Sequence, residues 1–139
     1  MNDLKIIEDF IQKHHILTLS TLGENGVDSC SAFYAYDPQT HSCIIASDKK
    51  TTHIQNILQN NTVAVTIHLD TTEVGKIEGL QAKGDVLEIK DPKLKKIYFK
   101  RFSYALALRP TLWQIKLSWL KYTSNRLGFG KKLIVDLQT

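Results

Sequence analysis

Residues 16–23 read ILTLSTLG, and the alternation within them decides the fold. Leu17, Leu19 and Thr21 fall on one side of an extended chain, and Thr18 and Ser20 fall on the other. That period of two marks a half-buried strand. Upstream the period is helical: Leu4, Ile7 and Ile11 recur with Phe10 beside them, behind a capping Asn2 or Asp3, as far as His14-His15. Downstream, Gly23-Glu24-Asn25-Gly26 is a turn containing the hairpin dipeptide Asn-Gly, and Val27 to Tyr36 form a second strand broken by Asp37-Pro38.

Ser42 to Ser47 form a third strand, and Thr52 to Asn60 a short helix with Ile54, Ile57 and Leu58 on one face. In the fourth strand Val63, Val65, Ile67 and Leu69 alternate with Ala64, Thr66 and His68. A long strand from Gly75 to Ile89 is interrupted by Gly79 and Gly84, positions suited to a bulge or a close backbone approach. Asp91-Pro92 starts a helix striped by Leu94, Ile97, Tyr98 and Phe102. Beyond Pro110, Trp113, Ile115, Leu117 and Trp119 alternate as a strand, which puts both tryptophans on one face. LGFGKK, residues 127–132, is a glycine-rich turn before a last strand, Leu133 to Leu137. Six or seven strands and three short helices, without strict β-α-β alternation, make an antiparallel barrel with helical trimmings.

The 139 residues suffice for one core, so residues 1–139 are read as a single domain. An apolar fraction of 42% and a charged fraction of 23% exclude a disordered or collagenous chain. The formal charge of +4 comes from scattered rather than clustered Lys and Arg, so a nucleic-acid partner ranks last. Cys30 and Cys43 have no metal or redox spacing and read as reduced, strand-buried residues. With no signal peptide and no apolar run near the ~20 residues of a membrane span, the expected setting is cytoplasmic, without a membrane partner.

Chemistry concentrates where the third strand gives way to a helix. ASDKKTTHIQN places Lys49, Lys50, Thr51, Thr52 and His53 at a helix start, whose unpaired N–H groups suit a phosphate. The same residues also read as a solvated turn with Thr51 or Thr52 as an ordinary cap, and spacing leaves both readings open. LGFGKK is not a phosphate loop of the GxxxxGK[ST] type, because Asn125 and Lys132 stand where glycine and a hydroxyl residue are required. The five histidines form no metal site by spacing, and structural roles are expected for all but His53. No GxSxG elbow or paired-carboxylate signature is present.

Taken in order, HHILTLSTLG, SAFYAYD, KKTTHIQN, GLQAKGDV, LWQIKL and YTSNRLGFGKK resemble the FMN-binding split-barrel superfamily of pyridoxamine 5'-phosphate oxidase, in its YhbP-like branch. The resemblance runs nearly end to end. It implies an antiparallel split β-barrel, mainly β with short helices. It also implies a homodimer holding two FMN molecules at the subunit interface, each touched by both chains. The phosphate segment of the superfamily maps onto Lys50, Thr51 and His53, with Thr52 beside them. Ser31, Ala32, Phe33 and Tyr34 match the segment lying along the isoalloxazine, and Gln81 a position that reaches the ring or its tail. Asn125, Gly128, Phe129, Gly130 and Lys131 match a contribution from the second chain or a lid.

The chain also departs from that pattern. The Ser-x-Lys phosphate motif is replaced by a Thr-x-His type. The C-terminal Arg and His that grip the vitamin substrate are missing, and no histidine follows His68 as haem-degrading relatives require. The expectation is therefore an FMN-dependent oxidoreductase acting on a small-molecule redox substrate, with NADH or NADPH as the candidate electron donor and no side chain named as catalytic. A non-catalytic module binding FMN or another phosphorylated ligand is the alternative.

Overall fold

Helix α1, Asp3–Lys13, opens the chain in the computed structural model, which describes residues 2–138. Its first turn is capped by Asn2, whose side chain accepts the Leu4 N–H. Ile7, Phe10 and Ile11 share the buried face, as their spacing requires. Strand β1, Ile16–Gly23, follows and buries Leu17, Leu19 and Thr21. It pairs with β2, Gly26–Phe33, through the register Gly23↔Gly26. The two-residue loop is thus Glu24-Asn25 within the expected Gly23–Gly26 turn, and Gly26 takes a φ of 119°, a left-handed value that favours glycine.

The second strand is not continuous to Tyr36. It breaks at Tyr34, where the chain leaves β1 and continues as β3, Ala35–Asp37, pairing with β4, Ser42–Ala46. Tyr34 forms the corner: its N–H donates to the His15 carbonyl, and its own carbonyl accepts from the Arg101 guanidinium. Its phenol points inward and donates to the Ile11 carbonyl at 2.7 Å. Helix α2, Thr52–Gln59, then leads to β5, Thr62–His68. A 3-10 turn at Val74–Lys76 replaces the expected start of the next strand, and β6 covers Glu78–Glu88. Helix α3, Pro92–Arg101, is capped by Asp91, and a 3-10 segment, Ser103–Leu108, follows it. Strand β7, Leu112–Ser124, and strand β8, Lys131–Asp136, complete the chain.

The eight strands form one antiparallel sheet in the order β2-β1-β5-β6-β7-β4-β3, with β8 on β7. Strand β7 is long enough to serve two neighbours along one edge: Leu112–Lys116 pair with β4, and Trp119–Ser124 with β8. Because β2 runs directly into β3, the two ends of the strand order are one continuous segment, and the sheet curls into a split barrel. Its interior is packed by Leu17, Leu19, Val63, Val65, Ile67, Leu80, Ala82 and Leu120. Helix α1 caps the end near Tyr122, with Phe10 at 5.1 Å from that ring. Helix α2 caps the other, where Asn56 donates to Thr21. A smaller cluster of Ala35, Ile44, Ile89, Tyr98, Ala105 and Leu112 lies under α3.

Gly84 marks a register shift between β6 and β7, and a Cβ there would lie 2.4 Å from the Lys116 carbonyl oxygen. Gly79 shows neither feature: its pairing is regular and a Cβ would meet only ordinary contact. The shift has a consequence for the tryptophans. Leu117 is buried and so is Leu120, because Ser118 is the extra residue opposite the bulge. Trp113 therefore faces the core, while Trp119 lies on the outer face with the Lys83 ammonium 5.2 Å from its ring, so the two do not share a face.

Candidate functional site

The turn before α2 is built from its own side chains. Asp48 accepts the Lys50 N–H at 2.8 Å, and its carbonyl receives both the Thr51 N–H and the Thr51 hydroxyl. Thr51 is the helix cap, accepting the Ile54 N–H. The His53 ring bonds Ser47 Oγ at 2.6 Å, and Trp113 donates its indole N–H to the Ser47 carbonyl, tying the turn to β7. Burial holds the His53 imidazole below its ordinary pKa, so the ring is neutral at neutral pH.

This divides the expected phosphate group in two. Thr51 Oγ1 and His53 Nε2 are spent on the turn itself. Lys50 and Thr52 are exposed, and neither side chain has a protein partner among the described residues. The N–H groups of Thr52 and His53 likewise meet no protein acceptor there, being the first donors of the helix. One ammonium, one hydroxyl and two backbone donors are thus uncommitted at the helix start.

Strand β2 supplies the facing wall. It is an edge strand, paired with β1 on one side only, and both α2 and β4 approach it. Ser31 and Phe33 are exposed, and Ala32 is half-buried on the opposite face. Tyr34 presents nothing outward, since its ring is in the core and both its backbone groups are bonded. Strand β2 thus forms a seam with β4 and with α2, which meets it at Asp28 through the Asn56 amide.

Gln81 and residues 125–131 lie elsewhere. The outer-face row Ser31, Thr18, Thr66, Gln81 follows the strand pairing, which sets Gln81 three strands from Ser31, roughly 14 Å away. Asn125 shapes its own turn: its side chain donates to the Val74 carbonyl and accepts the Gly130 N–H. Gly128 and Gly130 take φ values of 135° and 70°, which explains the glycines. Phe129 is 84% exposed and Lys131 is exposed. Within one chain Gln81 at mid-strand and residues 125–131 at the β7–β8 turn therefore both lie apart from the α2 start.

A groove of about 500 Å³ lies at the α1–β1 junction and had no signal in the sequence. It is lined by His14, His15, Ile16, Thr18, Ser31, Thr66, His68, Leu69 and Asp70. A shallower groove of about 320 Å³ continues from Thr66 and His68 to Gln81 and Thr123. Among the described residues no cluster of His, Cys, Asp or Glu could hold a metal ion, and no helix is long and apolar enough to cross a membrane.

Comparison with known proteins agrees with this architecture. Residues 5–123 match the family described as pyridoxamine 5'-phosphate oxidase. The UPF0306 protein YhbP of Escherichia fergusonii is 36% identical over 137 residues, covering 96% of this chain and 93% of the relative. A heme-binding protein of Mycobacterium smegmatis superposes with a TM-score of 0.83 at 10% identity, over 99% of this chain and 59% of that one. A FAD-binding protein of Mesorhizobium loti gives a TM-score of 0.72 at 12% identity, over 88% of this chain and 92% of the other.

Proposed function

Since the chain belongs to the pyridoxamine 5'-phosphate oxidase family, we propose that it binds FMN at the seam between β2 and the start of α2 and works as a flavin-dependent oxidoreductase. The observation carrying this reading is the donor set at residues 50–53. Lys50 Nζ, the Thr52 hydroxyl and the N–H groups of Thr52 and His53 are uncommitted and complement a phosphate in charge and number. Thr51 and His53 shape the turn and do not touch the phosphate with their side chains. That assignment accommodates the Thr-x-His departure from the family pattern, and it raises Thr52 above them as a ligand.

Ser31, Ala32 and Phe33 then border the ring, with the unpaired edge of β2 offering backbone donors to its oxygen and nitrogen atoms. When bound, the flavin supplies the electron chemistry, and the chain supplies binding, orientation and exclusion of water. The separation of Gln81 and residues 125–131 from the seam supports a homodimer in which the second copy brings these residues to the first copy's flavin. NADH or NADPH is the proposed electron donor. The FAD-binding neighbour supports a flavin in this fold, and the substrate is a small molecule.

The test is a titration of the purified chain with FMN, followed by flavin fluorescence. Saturable quenching at micromolar protein is expected, weakened about tenfold or more by Lys50→Ala combined with Thr52→Val. Absence of quenching sinks the flavin reading, and unchanged affinity in the double variant moves the phosphate elsewhere. Retention of FMN without reduction by NADH or NADPH would favour the non-catalytic binding module.

A further inference from the structure

The histidines divide by what they bond. Of the five, His41 faces Glu8 at 3.4 Å and His53 bonds Ser47 at 2.6 Å. The other three, His14, His15 and His68, have no protein hydrogen-bond partner for their rings among the described residues, and all three line the groove at the α1–β1 junction. Two are held firmly by the backbone. The His14 carbonyl accepts from Arg101 at 2.8 Å, and the His15 carbonyl accepts the Tyr34 N–H at 3.0 Å. The rings themselves are supported: His14 packs against Phe10 with centroids 4.4 Å apart, and His15 lies nearly parallel to Phe33 at 11°.

We propose that this groove is a binding site for a small monocarboxylate, gripped by the His14, His15 and His68 imidazoles with its hydrocarbon part on Ile16 and Leu69. The lining is rich in donors, because hydroxyls of Thr18, Ser31 and Thr66 add to the three rings, so it complements a ligand rich in acceptors. Asp70 is the one carboxylate of the lining, and it opposes a dianion such as phosphate more strongly than a monoanion. Exposed Ile16 and half-buried Leu69 give the site an apolar side, which an inorganic anion would not use. The site shares Ser31 with the proposed ring wall on β2 but lies apart from the phosphate cradle at α2, and its test uses no flavin.

Binding is coupled to protons. His14 is held below its ordinary pKa chiefly by burial, with Lys13, His15 and His68 acting in the same direction and Glu78 against them. Asp70 faces the same space, and the Arg101 guanidinium sits on the His14 carbonyl. A bound carboxylate favours the imidazolium form of His14, so it draws a proton onto the groove and binds more tightly as pH falls below ~6.5.

With only five histidines, the ring C–H resonances can be assigned by single His→Gln variants and followed during titration with benzoate, without added FMN. The expected result is a saturable shift of His14, His15 and His68 with His41 and His53 still, and affinity about fivefold or more tighter at about pH 5.5 than at about pH 7.5. At about pH 7.5, where it is largely a dianion, inorganic phosphate should compete poorly. Non-saturating shifts, shifts spread over all five rings, tighter binding of phosphate or affinity independent of pH would each overturn the site. If His14→Gln or His15→Gln unfolds the chain, His68→Gln decides, since that ring is exposed: affinity must fall about threefold or more, and no change rejects the proposal. The histidine shifts and the flavin quenching are separate readouts, so failure of either one is distinguishable from failure of the other.

Discussion

The inner and outer faces of the sheet are made from the same strands and follow opposite rules. Inside, Leu17, Leu19, Val63, Val65, Ile67 and Leu80 are each no more than 3% exposed. Outside, the matching rows are Ser29, Ser20, Ala64 and Lys83, then Ser31, Thr18, Thr66 and Gln81. Helices plug both ends of the barrel, yet among the described residues none lies across this outer surface of short polar side chains. The difference separates two duties: the inner face holds the fold together, and the outer face with its adjoining seam is left for ligands or a second copy.

The largest break of that division is Trp113→Ala. The ring is buried and its indole N–H bonds the Ser47 carbonyl at 2.9 Å, so its loss opens a cavity and frees the turn before α2. A loss of about 3–5 kcal/mol is expected in urea unfolding. Trp119→Ala, on the outer face, should cost far less, and equal losses would mean that the two faces are not distinct. Next comes Gly84→Ala. The new Cβ would press on the Lys116 backbone at 2.4 Å, and a loss of about 1–3 kcal/mol is expected from the same measurement. A neutral result would show that the bulge can open without cost.

These two positions also mark where local sequence stops determining the fold. The alternation of Leu17, Leu19 and Thr21 is local, as are the caps at Asn2 and Asp91, and each corresponds to an observed element. The fate of Trp119 is not local. Its phase relative to Trp113 depends on a register shift whose close contact is carried by Gly84 on the neighbouring strand, and no periodicity within β7 reports it. Tyr34 is similar: SAFYAYD reads as one strand, and only the His15 and Arg101 partners make it a corner. At the candidate site, the helix start at Thr51 is legible in composition. Which donors stay free is not, because that depends on Ser47 and Asp48 taking up Thr51 and His53. His14, His15 and His68 lie more than fifty residues apart at the extremes, so only the pairing of β1 with β5 could gather them.

Acid should test the inner packing more gently. Burial depresses both His14 and His53, so the folded chain declines protons that the unfolded chain accepts. Their contribution is absent well above ~6.5, and as pH falls through that value the unfolded state binds more protons and stability drops. The urea midpoint should therefore fall between about pH 7.5 and about pH 5.5, and fall less in His53→Gln. An equal fall in that variant would remove His53 from the account.

The smallest expected effect probes the outer face directly. Thr66 sits mid-row between Thr18 and Gln81, exposed, and its side chain makes no protein hydrogen bond among the described residues. Thr66→Val keeps the β-branched shape that suits a strand and removes only a hydroxyl, so in dilute protein the change should stay within about 0.5 kcal/mol. If a second copy covers this face, the same variant must behave differently as protein concentration rises, because association stabilises the folded state by mass action. Unfolding of the wild type and Thr66→Val at low and high protein concentration separates the cases. A gap that grows with concentration means that the polar face is an interface, whereas a constant small gap means that it faces water and ligands alone.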